Sequence, residues 1–214
     1  MEKKWVGILR LTKKIAELEA TVEHLNEELK SVGKMKRTTA NAEDTENLFP
    51  KFPPQHNFTG HKGMVNKVAF HPVYSTLASV GEDASVKLWD FESGKYEGTL
   101  KGHTATINDL AFDPSGMNLA TCSSDLSIKV WDLDQKICTK TMTGHDHSIS
   151  SIRWNPSGDF LLSASRDNTI KLWELNTGYC TRTFSGHGEW VRCAEFNATG
   201  TRIISASNDQ TLML

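Results

Sequence analysis

Residues 144–174 read GHDHSISSIRWNPSGDFLLSASRDNTIKLWE, and this stretch decides the fold. It opens on Gly144-His145 and closes on Trp173-Glu174, with Asp167 between them. Inside it, apolar and polar residues alternate in short runs broken by Asn155-Pro156 and Arg166-Asp167, the pattern of half-buried strands joined by tight turns. The same marks recur outward in both directions. Gly-His stands at Gly60-His61, Gly102-His103 and Gly186-His187, each step 42 residues. An aspartate keeps phase at Asp83, Asp125 and Asp209, and a tryptophan followed by an acid recurs at Trp89-Asp90 and Trp131-Asp132. At the same step the next tryptophan would fall at the position after Leu214. A fixed period of this length marks a repeat architecture and takes precedence over any single residue.

Each unit predicts four strands. Val65, Ile107, Ile149 and Val191 share one register of a first strand; Val68, Leu110, Ile152 and Ala194 share a second; Phe70, Phe112, Trp154 and Phe196 share a third. A turn follows at His71-Pro72, Asp113-Pro114 and Asn155-Pro156. The second strand holds Leu77, Leu119, Leu161 and Ile203; the third holds Val86-Lys87-Leu88-Trp89 and its copies. A fourth, such as Tyr96–Leu100, leads into the next Gly-His.

Four strands per unit between Gly-His and Trp-Asp marks resemble the WD40 repeat of β-propellers. The expected fold is an all-β WD40 propeller of four repeats over 58–214, an incomplete ring with an incomplete last blade, preceded by an α-helical coiled coil. The resemblance implies a buried hydrogen-bond chain in each unit. The sets are His61/Ser79/Asp83/Trp89, His103/Thr121/Asp125/Trp131, His145/Ser163/Asp167/Trp173 and, without its tryptophan, His187/Ser205/Asp209. Ser, His and Asp together also suggest a hydrolase triad. A catalytic set occurs once, whereas this one recurs in every unit, so the expectation is a structural set and no enzyme. No G-x-S-x-G, H-E-x-x-H, phosphate loop or G-x-G-x-x-G is present. No catalytic residue, cofactor or metal is assigned, and His145-Asp146-His147 reads as one structural histidine beside a loop.

Residues 1–34 change period. Ile8, Leu11, Ile15, Leu18, Val22, Leu25, Leu29 and Val32 alternate spacings of three and four, a heptad stripe. Branched residues at a (Ile8, Ile15, Val22) with leucine at d predict a parallel homodimer; the competing reading is an amphipathic helix docked on the propeller. Residues 35–57, with an acidic cluster and Pro50, Pro53 and Pro54, read as a linker, flexible first and stiffer at the prolines.

Composition bounds the rest. Of 214 residues, 38% are hydrophobic and 23% charged, with a formal charge of −2, so a core can form and a duplex-binding surface over the whole molecule is not expected. Lys87, Lys129 and Lys171 recur at one strand position, which reads as a snorkelling structural residue and not a nucleic-acid stripe. No apolar run suits a bilayer crossing, Met1-Glu2-Lys3-Lys4-Trp5 is not a signal sequence, and Cys122, Cys138, Cys180 and Cys193 form no C-x-x-C pair. A reduced, cytosolic compartment is expected.

Glu2-Lys3-Lys4-Trp5, Leu100-Lys101-Gly102-His103-Thr104, Thr143-Gly144-His145-Asp146-His147, Ser163-Ala164-Ser165-Arg166-Asp167 and Glu189-Trp190-Val191-Arg192 resemble the lissencephaly-1 family, the NudF-type dynein regulators. That resemblance implies a non-catalytic scaffold acting on cytoplasmic dynein in microtubule-based transport, nuclear migration and spindle positioning. It implies partners in the dynein motor domain and NudE-type adaptors, with acetylhydrolase catalytic subunits as a further set. The implied location is cytoplasm, cytoskeleton and centrosome or spindle. It also implies a closed ring of more blades than these four units, so bare strand edges and a bare blade face are expected here. In the family, partners meet the face carrying the Gly-His and turn-Asp ends of the strands. There Arg166, Trp190 and Arg192 stand out, with Glu82 and Asn208 at the matching turn positions, since Arg and Trp are enriched at binding hot spots. The alternative reading is a G-protein β-like subunit or another WD40 adaptor.

Overall fold

The computed structural model describes residues 53–214. The coiled coil expected over 1–34 and most of the 35–57 segment lie outside the described residues. Contact with the first sheet begins at His56, whose Nε2 donates to the Glu92 carbonyl at 3.1 Å.

Period-two alternation resolves into fifteen strands among the described residues. β1 (Val65–Phe70), β2 (Thr76–Gly81), β3 (Ser85–Asp90) and β4 (Tyr96–Lys101) form one antiparallel sheet in chain order. β5 (Ile107–Phe112), β6 (Asn118–Ser123), β7 (Ser127–Asp132) and β8 (Ile137–Thr143) form the second. β9 (Ile149–Trp154), β10 (Phe160–Ser165), β11 (Thr169–Glu174) and β12 (Cys180–Ser185) form the third. β13 (Val191–Phe196), β14 (Ile203–Ser207) and the short β15 (Leu212–Met213) form the fourth.

Turn chemistry sets the register. In the β2–β3 turn, Asp83 Oδ1 accepts from the backbone N–H and hydroxyl of Ser85 at 3.2 and 2.8 Å. Asp125–Ser127, Asp167–Thr169 and Asp209–Thr211 repeat the device. The residue between is forced to positive φ: Ala84 55°, Leu126 69°, Asn168 67° and Gln210 67°. In the first-to-second-strand turns of the later three sheets, Gly116, Gly158 and Gly200 supply the left-handed residue. The first sheet has no glycine there. His71 Nδ1 instead accepts the N–H groups of Val73 and Tyr74 at 3.0 and 2.8 Å, and its Nε2 donates to the Gly116 carbonyl at 2.7 Å.

The sheets pack face to face in chain order. Ala78, Val80, Val86, Leu88 and Leu100 of the first sheet meet Ile107, Leu110, Leu119 and Trp131 of the second. Ala120, Cys122, Ile128, Val130 and Met142 of the second meet Ile149, Ile152, Trp154, Leu161 and Trp173 of the third. Leu162, Ala164 and Ile170 meet Val191 and Ala194 of the fourth. Every interface sets the second and third strands of one sheet against the first strand of the next, and in the first two Leu100 and Met142 of the fourth strands and Leu119, Trp131, Leu161 and Trp173 of the following sheets join them. Burying each such side chain contributes about 1.5–3 kcal/mol before the entropy of ordering it is subtracted.

Candidate partner-binding face

Four polar chains run through the stack. Trp131 Nε1–H donates to Thr121 Oγ1, and Thr121 Oγ1 lies 2.8 Å from His103 Nε2. His103 Nδ1 lies 2.8 Å from Asp125 Oδ2. A single tautomer satisfies all of them: Trp N–H to hydroxyl, hydroxyl to Nε2, Nδ1–H to carboxylate. His61/Ser79/Asp83/Trp89 and His145/Ser163/Asp167/Trp173 repeat it with bonds of 2.6 to 2.9 Å. His187 joins Asp209 at 2.7 Å and Ser205 at 2.9 Å.

In the second and third sheets, electrostatics fit neutral imidazoles. Burial lowers the pKa of His103 and His145, outweighing the raising effect of Asp125 and Asp167. Burial would raise the Asp83 and Asp125 carboxyls, but donors overcome it: for Asp83, the Lys62 N–H, the Ser85 hydroxyl and His61; for Asp125, the Ser127 hydroxyl, the Thr104 N–H and His103. Both are lowered to about 2. Ser79, Thr121, Ser163 and Ser205 are buried, and in the first three sheets an indole N–H occupies the oxygen a nucleophile would use. Burial also pushes the Cys122 thiol up, away from thiolate chemistry.

The Gly-His mark has a steric cause. A Cβ on Gly60, Gly102 or Gly144 would come within 3.1–3.2 Å of the indole Cη2 of Trp89, Trp131 or Trp173. The recurrent lysines lie along the same place: the Lys87 and Lys129 stems pass Gly60 and Gly102, and Lys87, Lys129 and Lys171 donate to Thr99, Thr141 and Thr183 at 2.9–3.1 Å.

Arg166, Trp190, Arg192 and Asn208 come together at the turn-Asp end of the third and fourth sheets. Arg166 Cζ lies 4.8 Å from the Trp190 ring centroid and Arg192 Cζ lies 5.8 Å from it. Arg192 Nε donates to Asn208 Oδ1 at 2.7 Å, and the Asn208 N–H donates to the Trp190 carbonyl at 2.9 Å. The His147 ring, expected only as a loop residue beside His145, stands 6.3 Å from Trp190. Pairing shifts by one residue at Asn66, Asn108, Ser150 and Arg192, so each first strand carries a bulge at this position. Bulges re-aim side chains, and this one turns Arg192 toward the indole. Among the described residues, neither Arg166 nor Arg192 forms an ion pair. The cluster presents an indole and two guanidiniums, each with donors to spare, which suits a carboxylate-bearing partner surface.

Glu82 lies apart from that cluster, on the first sheet, where its carboxylate accepts the Met64 N–H at 3.4 Å. Asn66 and Asn108 turn inward along the stack. Their Nδ2 groups donate to the Ile107 and Ile149 carbonyls of the next sheet at 2.8 and 2.6 Å. A line of charges that the sequence reading missed crosses the stack: Lys67 to Asp109 at 3.7 Å, Asp109 to Arg153 at 2.6 Å, Arg153 to Glu195 at 2.6 Å. Aligning the four first strands and comparing charges at matching positions would have found it. Among the described residues, no group of three His, Cys, Asp or Glu is placed to hold a metal ion, and no helix is long and apolar enough to cross a membrane.

Sheets of this order, stacked in sequence and each threaded by the Gly-His and turn-Asp chain, define a WD40 β-propeller. The model of the WD domain, G-beta repeat, matches residues 52–90, 94–132, 136–174 and 178–214, and the chain belongs to that family. Within it the resemblance to the lissencephaly-1 and NudF type holds over about half of the chain. A Lissencephaly-1 homolog of Dictyostelium discoideum is 50% identical over 101 residues, 47% of this chain and 24% of that protein. One from Branchiostoma floridae is 48% identical over 100 residues, 47% of this chain and 24% of that protein. Nuclear distribution protein nudF of Aspergillus terreus is 44% identical over 101 residues, 47% of this chain and 22% of that protein. The chain spans about a quarter of the length of these curated relatives.

Proposed function

We propose that this chain is a non-catalytic interaction protein that binds the cytoplasmic dynein motor domain through the face formed by Arg166, Trp190, Arg192 and Asn208. The observation that carries the reading is the indole of Trp190 with two guanidiniums over its ring, at 4.8 and 5.8 Å from the centroid. Such contacts are worth about 0.5–1 kcal/mol at exposed sites. They fix three side chains before a partner arrives, which lowers the entropic cost of binding. Likeness to proteins named for lissencephaly-1 and nuclear distribution supports dynein regulation as the setting. Nuclear migration, spindle and centrosome positioning, pairing through residues 1–34 and contact with NudE-type adaptors belong to the same proposal. Glu82, on the first sheet, is assigned to the margin of the face.

The test is a pull-down with purified dynein motor domain, comparing the natural chain with the Arg166→Ala, Arg192→Ala double variant. Binding is expected to fall at least tenfold with the thermal melt unchanged. Equal capture by both proteins would reject this face as the binding surface.

A further inference from the structure

Two neighbouring pairs of sheets close the same gap differently. The fourth strands hold Gly98, Lys140 and Arg182 at one position, opposite Leu88, Val130 and Leu172 of the third strands. From there Lys140 reaches out of the second sheet into the third-to-fourth-strand turn of the third. Its Nζ donates to the Leu175 carbonyl and, at 2.9 Å, to the Asn176 carbonyl. Between the first and second sheets the counterpart is Gly98, so no side chain from that position reaches the matching carbonyls, those of Leu133 and Asp134. Lys136 runs the other way, its Nζ donating to the Glu97 carbonyl at 2.9 Å. What remains is a cavity of about 360 Å³ between the two sheets. Both walls are four-stranded sheets that already pack on each other.

The lining departs from its counterpart as well. Glu97 and Asp134 stand where the next pair of sheets has Thr139 and Asn176. Among the described residues neither carboxylate forms an ion pair, and Glu97 accepts one long bond, from the Thr76 hydroxyl at 3.4 Å. Tyr74 and Met117, 68% and 73% exposed, stand where that pair has Gly116 and Asp159, and Leu88 and Leu133 add to the apolar wall. Where the second and third sheets carry a resident ammonium, this gap has two carboxylates, two carbonyls and an apolar lining.

We propose that this cavity receives an arginine side chain carried on an extended segment of a partner protein. The guest guanidinium does here what Lys140 does in the next gap. It donates to the Leu133 and Asp134 carbonyls and pairs with the Glu97 and Asp134 carboxylates. Its stem lies along Leu88, Leu133 and Met117, as the aliphatic part of a long cationic side chain does on apolar surface. Five donors in a fixed plane suit this acceptor set better than the three of an ammonium. The cavity sits among the first-to-second-strand and third-to-fourth-strand turns, at the end of the sheets away from Arg166, Trp190 and Arg192. The proposal therefore goes beyond dynein binding and stands or falls separately.

The test titrates the full nitrogen-15-labelled chain with N-acetyl-arginine methylamide and, as its uncharged counterpart, N-acetyl-citrulline methylamide. The arginine probe should move the Leu133 and Asp134 amide signals and bind about tenfold more tightly than the citrulline probe. Gly98→Lys, which gives the first sheet its own equivalent of Lys140, should abolish the response with the melting temperature undiminished. The atoms nearest a Cβ at Gly98 belong to the flexible end of Lys136, from 3.3 Å, so the substitution has room to settle. If that variant melts early, Glu97→Gln with Asp134→Asn decides instead, with about tenfold weaker binding expected and unchanged binding contradicting the assignment. Three results would overturn the proposal: an equal response to both probes, no response, as when another stretch of chain or a second copy already fills the cavity, or a response that survives Gly98→Lys.

Discussion

Thr121 shows why single residues recur with such regularity. Its Oγ1 accepts an indole proton and passes its own to an imidazole, inside a stack where an unmade bond costs about 1–3 kcal/mol. Trp131→Phe should cost roughly 1 kcal/mol for the lost donor, and Trp131→Ala about 3–5 kcal/mol for the cavity as well, both read from urea unfolding. Unchanged stability in Trp131→Phe would mean that the hydrogen bond contributes nothing. Acid should act on the same chains. With burial lowering the folded His103 and His145 pKa values, the unfolded chain takes up protons more readily below about pH 6.5. Stability present above that pH therefore erodes as pH falls. Asp83 and Asp125, held near 2, add stability above about pH 4 that is lost as pH falls toward 2. Thermal melts should drop from pH 7 to pH 5 and again from pH 4 to pH 2; a flat profile contradicts neutral buried imidazoles. These residues were legible in the sequence because a fixed period exposes them. The part played by His71 was not, since the other units hold Asp113, Asn155 and Asn197 at its position and only the first unit has Tyr74 in place of the turn glycine.

At the scale of strands and turns, the Asp-X-Ser/Thr corner holds X at positive φ whatever its side chain. Leu126, β-sheet-flanking and large, pays strain there that Asn168 avoids in the third sheet. Leu126→Asn should raise stability by about 0.5–1 kcal/mol in denaturant unfolding; a loss would show that the Leu126 side chain packs usefully. Asp109 is the hinge of the charge line, accepting from Arg153 and from the Ile152 N–H. Asp109→Ala should cost about 3 kcal/mol, since it leaves Arg153 half-buried and short of a partner. Strand number, order and turn positions could be read from alternation and Pro or Gly punctuation. The bulge at Arg192 could not, because the pairing of β13 with β14 sets it, and the cross-sheet ion pairs leave as their trace only opposite charges at two first-strand positions, Lys67 and Asp109 at one, Arg153 and Glu195 at the other.

Across the whole stack, the proposed binding face exists only because neighbouring repeats abut. Arg166 comes from the turn of the third sheet, and Trp190 and Arg192 from the entry to the fourth; stacking brings them onto one indole. Resemblance and residue type single out all three in the sequence, whereas nothing there marks His147, which lies beside Trp190. Glu82 holds the matching turn position on the first sheet, away from that cluster. The most direct measurement is the equilibrium affinity of the Trp190→Ala chain for purified dynein motor domain, beside the natural chain and with both melts recorded. Loss of a central hot-spot side chain costs about 2 kcal/mol or more, so the dissociation constant should rise roughly thirtyfold at an unchanged melting temperature; an unaltered dissociation constant would contradict the assignment of this face.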